Sequence, residues 1–380
     1  MWTLVVINNI QFLRFIAAAV VVLAHSPFNL YGYSSKVIGL GGFGVDIFFV
    51  ISGFIIPFIL FGNSHQVDAA AKLGGVDFFA RRVIRIWPMY LLSTLFVIVI
   101  AAILKGLQYL PVFETGNVYG PQKLDFLLAL QSLTFATPIG VVPTVNVGWT
   151  LQFEFIFYST IALLIGTIAK KFEHVLVAFC VVMLAGVLLL GSSASGLSAV
   201  FPPVRILAQP MMLEFIFGLL VYACYRSDFK LNKWLSVVLL VLTIPAFLYI
   251  EIYNLAANFG GAFHRPLLWG FFGFLMVWSA ISLEPHYSMP KIFNLLGDAS
   301  YSMYLVHWLV LPWTAVFLTH FQLHPVIGPL GLLVFNLVIC QLVALVVHLR
   351  IEKPLNGKLT RVYRDHKHKF PMLRDRAVVL

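Results

Sequence analysis

What most constrains this chain is a recurring block of about 18 or more residues that is apolar all round rather than along one stripe. LGLLVFNLVICQLVALVV, residues 330–347, is one such block. In water a helix of this kind has no polar face to turn outward, whereas in a bilayer its length matches the hydrocarbon core. Composition agrees: of 380 residues, 61% are hydrophobic and only 11% charged, against roughly 25% charged in soluble domains. The sequence specifies an all-α polytopic membrane protein.

Spans of about 20 residues fit ten places, at 10–29, 43–62, 87–106, 148–169, 174–191, 206–225, 233–250, 266–283, 299–319 and 327–349. If the N-terminus is inside, 20 of the 25 basic residues fall on cytoplasmic segments, and only Lys36, Lys105, Lys123, Arg205 and Arg265 lie outside. That asymmetry is the one expected of cytoplasmic loops, so both termini are placed in the cytoplasm. The apolar stretch 124–142 then has to stay uncrossed, because a span there would invert every later loop up to the tail. Its Pro138 and Gly140, followed by Pro143, fit a re-entrant or interfacial segment. Residues 1–354 read as one membrane domain. Residues 355–380 read as a basic cytoplasmic tail, its last part, RVYRDHKHKFPMLRDRAVVL, disordered or resting on the anionic inner leaflet.

Several function classes find no support. The net charge of +10 comes without a basic stripe interleaved with aromatics, so it reads as an orientation signal and no nucleic-acid partner is expected. Cys180, Cys224 and Cys340 all sit in apolar runs, so no disulfide framework is visible. The first apolar run lacks a small-residue cleavage site, which argues against a cleavable signal peptide. No metal-ligand spacing, Walker A loop or dinucleotide fingerprint is present, so no metal is expected.

What remains is a short set of polar residues inside apolar spans, each costly there unless paired or facing a cavity. Arg14 and His25 are 11 residues apart, which leaves them only about 20° apart around a helix and about 16 Å apart along it. Imidazole is the usual base for deprotonating a hydroxyl. The plainer alternative is a snorkelling Arg14 and a satisfied polar His25. Asp46, near the depth of His25, is placed either to orient that imidazole or as a carboxylate favoured by its helix N-terminus. Ser52 shares its span. Arg81, Arg82 and Arg85 have the spacing of one helix face and are suited either to phosphates or to a cytoplasmic loop. Thr150, Glu154 and Tyr158 recur every four residues and form one stripe. Glu154 and Glu214, with no local basic partner, read either as site residues or as ties between helices. Ser300, Tyr304 and His307 form a second stripe, and Glu352 with Lys353 reads as a surface pair worth little.

Taken together, these segments resemble the membrane-bound acyltransferase family 3, whose members O-acylate sugars and other hydroxylated acceptors. The resemblance runs from Asn9 to about Pro354. Its carriers are the Arg14 and His25 pair, GVDIFFVISGF, FFARRVIRIWPMY, WTLQFEFIFY from Trp149, MLEFIFGLL around Glu214, SYSMYLVHW, and the terminal Glu352 and Pro354. The WTLxxExxFY form is similar to the exopolysaccharide O-acetyltransferase type. The resemblance implies that His25 and Arg14 match the family's essential histidine and arginine, and that Arg81, Arg82 and Arg85 match its donor-side arginines. Glu154, Tyr301 and His307 match motif positions as well. It also implies an acyl-CoA, in particular acetyl-CoA, as donor substrate with no permanently bound cofactor, a carbohydrate or lipid-linked sugar as acceptor, and a bacterial inner membrane as location. Many relatives carry a further SGNH esterase-like domain, so any acceptor processing of that kind is expected to be missing or to come from another protein.

The expected chemistry is direct transfer, with phosphates on the arginines and His25 taking the acceptor proton. Tyr304 or Ser302 would donate to the developing oxyanion. Two alternatives stay open: an acyltransferase with a non-sugar acceptor, and a secondary transporter or flippase, against which the lack of duplicated halves counts.

Overall fold

The computed structural model describes residues 7–34, 36–62, 70–106, 119, 121–190, 202–255 and 263–367. The apolar runs become helices: α1 (Asn8–Ala24), α2 (Phe43–Phe61), α3 (Gly75–Gly106), α4 (Phe126–Leu133), α5 (Gly148–Thr167), α6 (Phe172–Leu190), α7 (Leu213–Arg226), α8 (Lys233–Ile252), α9 (Phe271–Leu283), α10 (Ile292–Asp298), α11 (Ser300–His320), α12 (His324–Val347) and α13 (Lys353–Lys367). Among the described residues, eight helices are long and apolar enough to cross a membrane. They occupy eight of the ten expected places. At the fifth and sixth places stand α6, whose described apolar stretch is shorter, and α7, with 14 residues. The N-terminal half of the sixth place is tight 3-10 turn around Pro210 instead of α-helix, because proline ends helices approached from its N-terminal side.

Lipid is the solvent these helices are built for. On α12, Val334, Val338, Leu342 and Val346 are exposed while Leu332, Asn336, Cys340 and Ala344 are buried. Both sets repeat every four residues, so one face of the helix meets the bundle and the other presents a continuous apolar stripe. On a water-soluble protein such a stripe is an aggregation site; in a bilayer it is the ordinary outer surface.

Glycine allows α2 to sit at the centre. A Cβ on Gly44 would run into the Ala17 carbonyl of α1, and one on Gly53 into the Phe215 carbonyl of α7, beside Gly218. Backbones approach this closely only where side chains are absent. Phe49 is stacked between Phe153 and Phe215 and carries the same packing to α5.

Three regions depart from or qualify the expectations. The stretch 124–142 holds only the eight-residue α4, about 12 Å of helix and too short to cross. Asp125 caps it by accepting from Leu127 N and Leu128 N, and Ser132 Oγ accepts from Thr144 N at 2.9 Å, folding the following loop back. Arg81, Arg82 and Arg85 do not precede a span; they lie inside α3, whose 32 residues run on through Pro88. Of the stretch expected to be disordered or to rest on the inner leaflet, residues 361–367 are helical, because a π-helical turn at His348–Glu352 joins α12 to α13 without a break, and α13 packs against α3. Residues 368–380 of that expectation lie outside the described residues.

Candidate active site

A cavity of about 440 Å³ opens between α1, α2, α3, α5 and α11. At one end its wall carries Arg14 of α1 and Arg82 and Arg85 of α3, with Asp298 beside them. Along its length runs the predicted stripe of α5, with Thr150, Glu154 and Tyr158 all facing inward, and opposite it Ser300, Tyr301 and Tyr304 of α11. Ser52 of α2 completes the polar lining. Between these groups the wall is aliphatic and aromatic, as Ile10, Val45, Phe48 and Ile55 show. A tunnel that is cationic at one end and apolar within suits a ligand with an anionic head and a thin, mostly apolar arm.

The three arginines are held differently. Arg14 Nη1 donates to Gln11 Oε1 at 3.0 Å. Arg85 Nη1 donates to Glu352 Oε1 at 2.6 Å. Arg82 lies over the Phe78 ring, and its buried Nε has no partner among the described residues. A guanidinium N–H left unsatisfied in a buried wall is expensive, and an anion arriving there supplies the missing acceptor. Arg81 is not brought to this wall; it is exposed and pairs with Asp77 at 3.2 Å, one turn nearer the start of α3 than Arg85.

Glu154 lines the cavity, yet its oxygens are engaged: Ser52 Oγ donates to one at 3.0 Å and the Tyr158 hydroxyl to the other at 3.1 Å. Tyr301 donates to the Ile86 carbonyl at 2.7 Å. Ser300 Oγ is buried without a partner among the described residues. Tyr304 stands at the far end, its hydroxyl 2.8 Å from that of Thr150 and its ring 5.8 Å from the ring of His307. It thereby forms a partition with the cavity on one side and the histidines on the other.

His25 is not among the residues lining the cavity. It caps the C-terminus of α1 and is exposed, with its ring set edge-on to Trp308 at 5.2 Å between centroids. Nδ1 lies 2.9 Å from the Val21 carbonyl and 3.3 Å from Nε2 of His307. Arg14 and His25 therefore belong to one helix but to two compartments, the cavity and the surface beyond its partition.

Three expectations about partners need correction. Asp46 does not orient His25: its oxygens accept from Arg265 Nε and Nη2 at 3.0 and 2.9 Å, because α2 turns it toward the residues preceding α9. Glu214 sits against Asp46 and Arg265 in the same buried cluster rather than at the cavity. Trp149 also lies there, 5.9 Å from the Arg265 guanidinium. Glu352 is no surface residue: fully buried, it accepts from Arg85, from Ser302 Oγ at 2.7 Å and from His348 Nδ1 at 2.9 Å. Ser302 is thereby committed and is not an oxyanion donor. Arg265 and His348 were missed by the sequence reading. The available signal was the same in both cases, an ionisable residue at the end of an apolar run.

Comparison with known proteins now bears on this geometry. An acyltransferase domain matches residues 7–345. Exopolysaccharide production protein ExoZ of Rhizobium meliloti is 28% identical over 279 residues, covering 70% of this chain and 76% of the relative. Nodulation protein 10 of Rhizobium leguminosarum bv. viciae is 26% identical over 330 residues, covering 80% and 83%. No solved structure matches. Family membership sets aside the transport alternative. The chain belongs to the acyltransferase family defined by that domain and is a multi-pass membrane enzyme that transfers acyl groups other than aminoacyl groups.

Proposed function

We propose that this enzyme moves an acetyl or other short acyl group from a cytoplasmic acyl-CoA to a hydroxyl of a cell-surface carbohydrate, in a bacterial inner membrane. The observation that carries the reading is the cavity with Arg14, Arg82 and Arg85 at one end and Tyr304 at the other, beneath His307 and His25. The arginines take the donor's phosphates, with Arg82 Nε gaining the acceptor it lacks. The thin arm of the donor follows the polar stripe of α5 toward Tyr304, whose side chain swings aside to admit the acyl carbonyl. The preponderance of basic residues on the segments at the arginine end supports a cytoplasmic donor.

At the other end His25 is exposed to an acceptor. Its imidazole takes the acceptor's hydroxyl proton as the oxygen attacks the thioester carbonyl. Collapse of the tetrahedral intermediate breaks the carbon–sulfur bond, and the leaving thiolate recovers the proton from the imidazolium. The carbohydrate acceptor is supported by the likeness to the Rhizobium meliloti relative, an exopolysaccharide production protein.

The test is transfer of label from acetyl-CoA to de-O-acetylated Rhizobium meliloti exopolysaccharide by the purified protein in lipid. His25→Ala should abolish transfer and retain acetyl-CoA binding. Transfer at the wild-type rate by that variant would overturn the assignment of the base.

A further inference from the structure

What holds the His25 ring follows from a count of protons on two neighbouring imidazoles. His307 is wholly buried, and its Nδ1 lies 3.1 Å from the Met303 carbonyl oxygen. A carbonyl only accepts, so this nitrogen carries the ring proton, and Nε2 of the neutral ring presents a lone pair. That lone pair faces Nδ1 of His25 at 3.3 Å. Two lone pairs do not face each other at this distance, so His25 carries its own proton on Nδ1. The Val21 carbonyl, 2.9 Å away, demands the same assignment. One N–H is shared between two acceptors, and Nε2 of His25 keeps its lone pair.

Carboxylates do not fill this role. Asp46 is taken by Arg265, and Glu154 by Ser52 and Tyr158. The Val21 bond is internal to α1, whereas His307 reaches the ring from α11, and Trp308 of the same helix closes on it edge-on at 89°.

We infer that His307 is the positioning residue for His25: its Nε2 accepts the Nδ1–H of His25, fixes the tautomer that leaves Nε2 of His25 as the base, and holds the imidazolium that forms. The inference rests on the reading of His25 as the base. When Nε2 of His25 takes the acceptor proton, the positive charge spreads to Nδ1–H and the bond to His307 becomes charge-assisted, hence shorter and stronger. The bond is therefore worth more during the reaction than before it, as rate acceleration requires. Lacking exposure, His307 does not itself meet the acceptor.

Nitrogen-15 solid-state NMR of histidine-labelled protein in lipid bilayers tests the arrangement without an acceptor, with His25 assigned by subtracting a His25→Gln sample. The expected spectrum shows the His25 proton on Nδ1, with a through-bond coupling from that nitrogen to His307 Nε2. A proton on Nε2 of His25 overturns the inference, as does absence of the coupling. In the labelled acetyl-CoA assay, His307→Phe should lower kcat roughly 10- to 100-fold with little change in KM for acetyl-CoA, and His307→Gln, which restores an acceptor, should recover much of that loss. Wild-type kcat in His307→Phe overturns the inference while leaving His25 as the base. Equal losses in the Phe and Gln variants, or loss of acetyl-CoA binding with activity, return His307 to helix packing and overturn it as well. Activity in His25→Ala would instead remove the base assignment beneath it.

Discussion

Arg85 on α3 and Glu352 at the junction of α12 and α13 meet at 2.6 Å although 267 positions separate them in the chain. The contact joins the helix that carries two of the cavity's three arginines to the last span, and Ser302 and His348 close on the same carboxylate.

Glu352→Ala should leave one partly exposed guanidinium and two buried donors without their acceptor. Breaking a buried pair costs roughly 3–5 kcal/mol, and the exposure of Arg85, about a third, brings the expected loss to about 2–3 kcal/mol. Thermal unfolding in detergent should show a lowered midpoint, partly restored in a Glu352→Ala, Arg85→Met double variant. An unchanged midpoint would mean that the pair contributes nothing.

Donor recognition divides the arginines. Each charge-assisted bond lost is worth about 1.5–3 kcal/mol, so Arg82→Ala and Arg14→Ala should each raise KM for acetyl-CoA about 10- to 100-fold. Arg81→Ala, which touches Asp77 away from the cavity, should change it less than threefold. A larger effect at Arg81 than at Arg82 would place the donor nearer the start of α3.

Asp46→Ala should destabilise the fold by about 2 kcal/mol, because Arg265, 34% exposed, loses both bonds to that carboxylate and keeps Glu214 alone in the cluster. Transfer by the folded protein should fall less than threefold, since Asp46 does not touch His25. A double-mutant cycle with Arg265→Met reads the coupling between the two, and a zero coupling energy contradicts the pairing.

Gly53→Leu should prevent assembly of α2 on α7, because even a Cβ meets the Phe215 carbonyl. Gly74→Ala, with nothing within 4 Å of the added methyl, is the matched control. Size-exclusion profiles of the two variants make the comparison.

Lys123 lies in the segment outside the long helices, its ammonium donating to the Pro143 carbonyl at 3.0 Å. Burial pushes its pKa down to about 8, against about 10.4 in an unfolded chain. Between these values the unfolded state binds more protons, so stability rises with pH from about 8 to about 10.4 and is level below and above. Lys123→Met should remove that rise; a curve identical to wild type would show that the ammonium is solvated.

Much of the architecture was legible because the bilayer imposes simple rules. Apolar length placed the helices, and the sidedness of the basic loops argued against a crossing at 124–142. The helical period put Thr150, Glu154 and Tyr158 on one wall, where the cavity has them. Partners across helices were not legible. A helix apolar on all sides carries no stripe to reveal its rotation about its own axis, so nothing in the order of residues said that Asp46 turns to Arg265 rather than to His25. Nor did it say that Glu352 turns inward to Arg85 rather than outward beside Lys353. The pairing of His25 with His307 is of the same kind, because it depends on the contact between α1 and α11.

The network at Glu352 also bears on where this enzyme can be cut. The match to the acyltransferase domain ends at residue 345, while the acceptor that holds Arg85 lies beyond that point, on the turn that carries α12 into α13. A fragment trimmed to the domain's matched boundary would keep every arginine of the cavity and discard the counter-charge that aims one of them. For truncation or fusion, the working unit is set by electrostatic neutrality and reaches at least to Glu352.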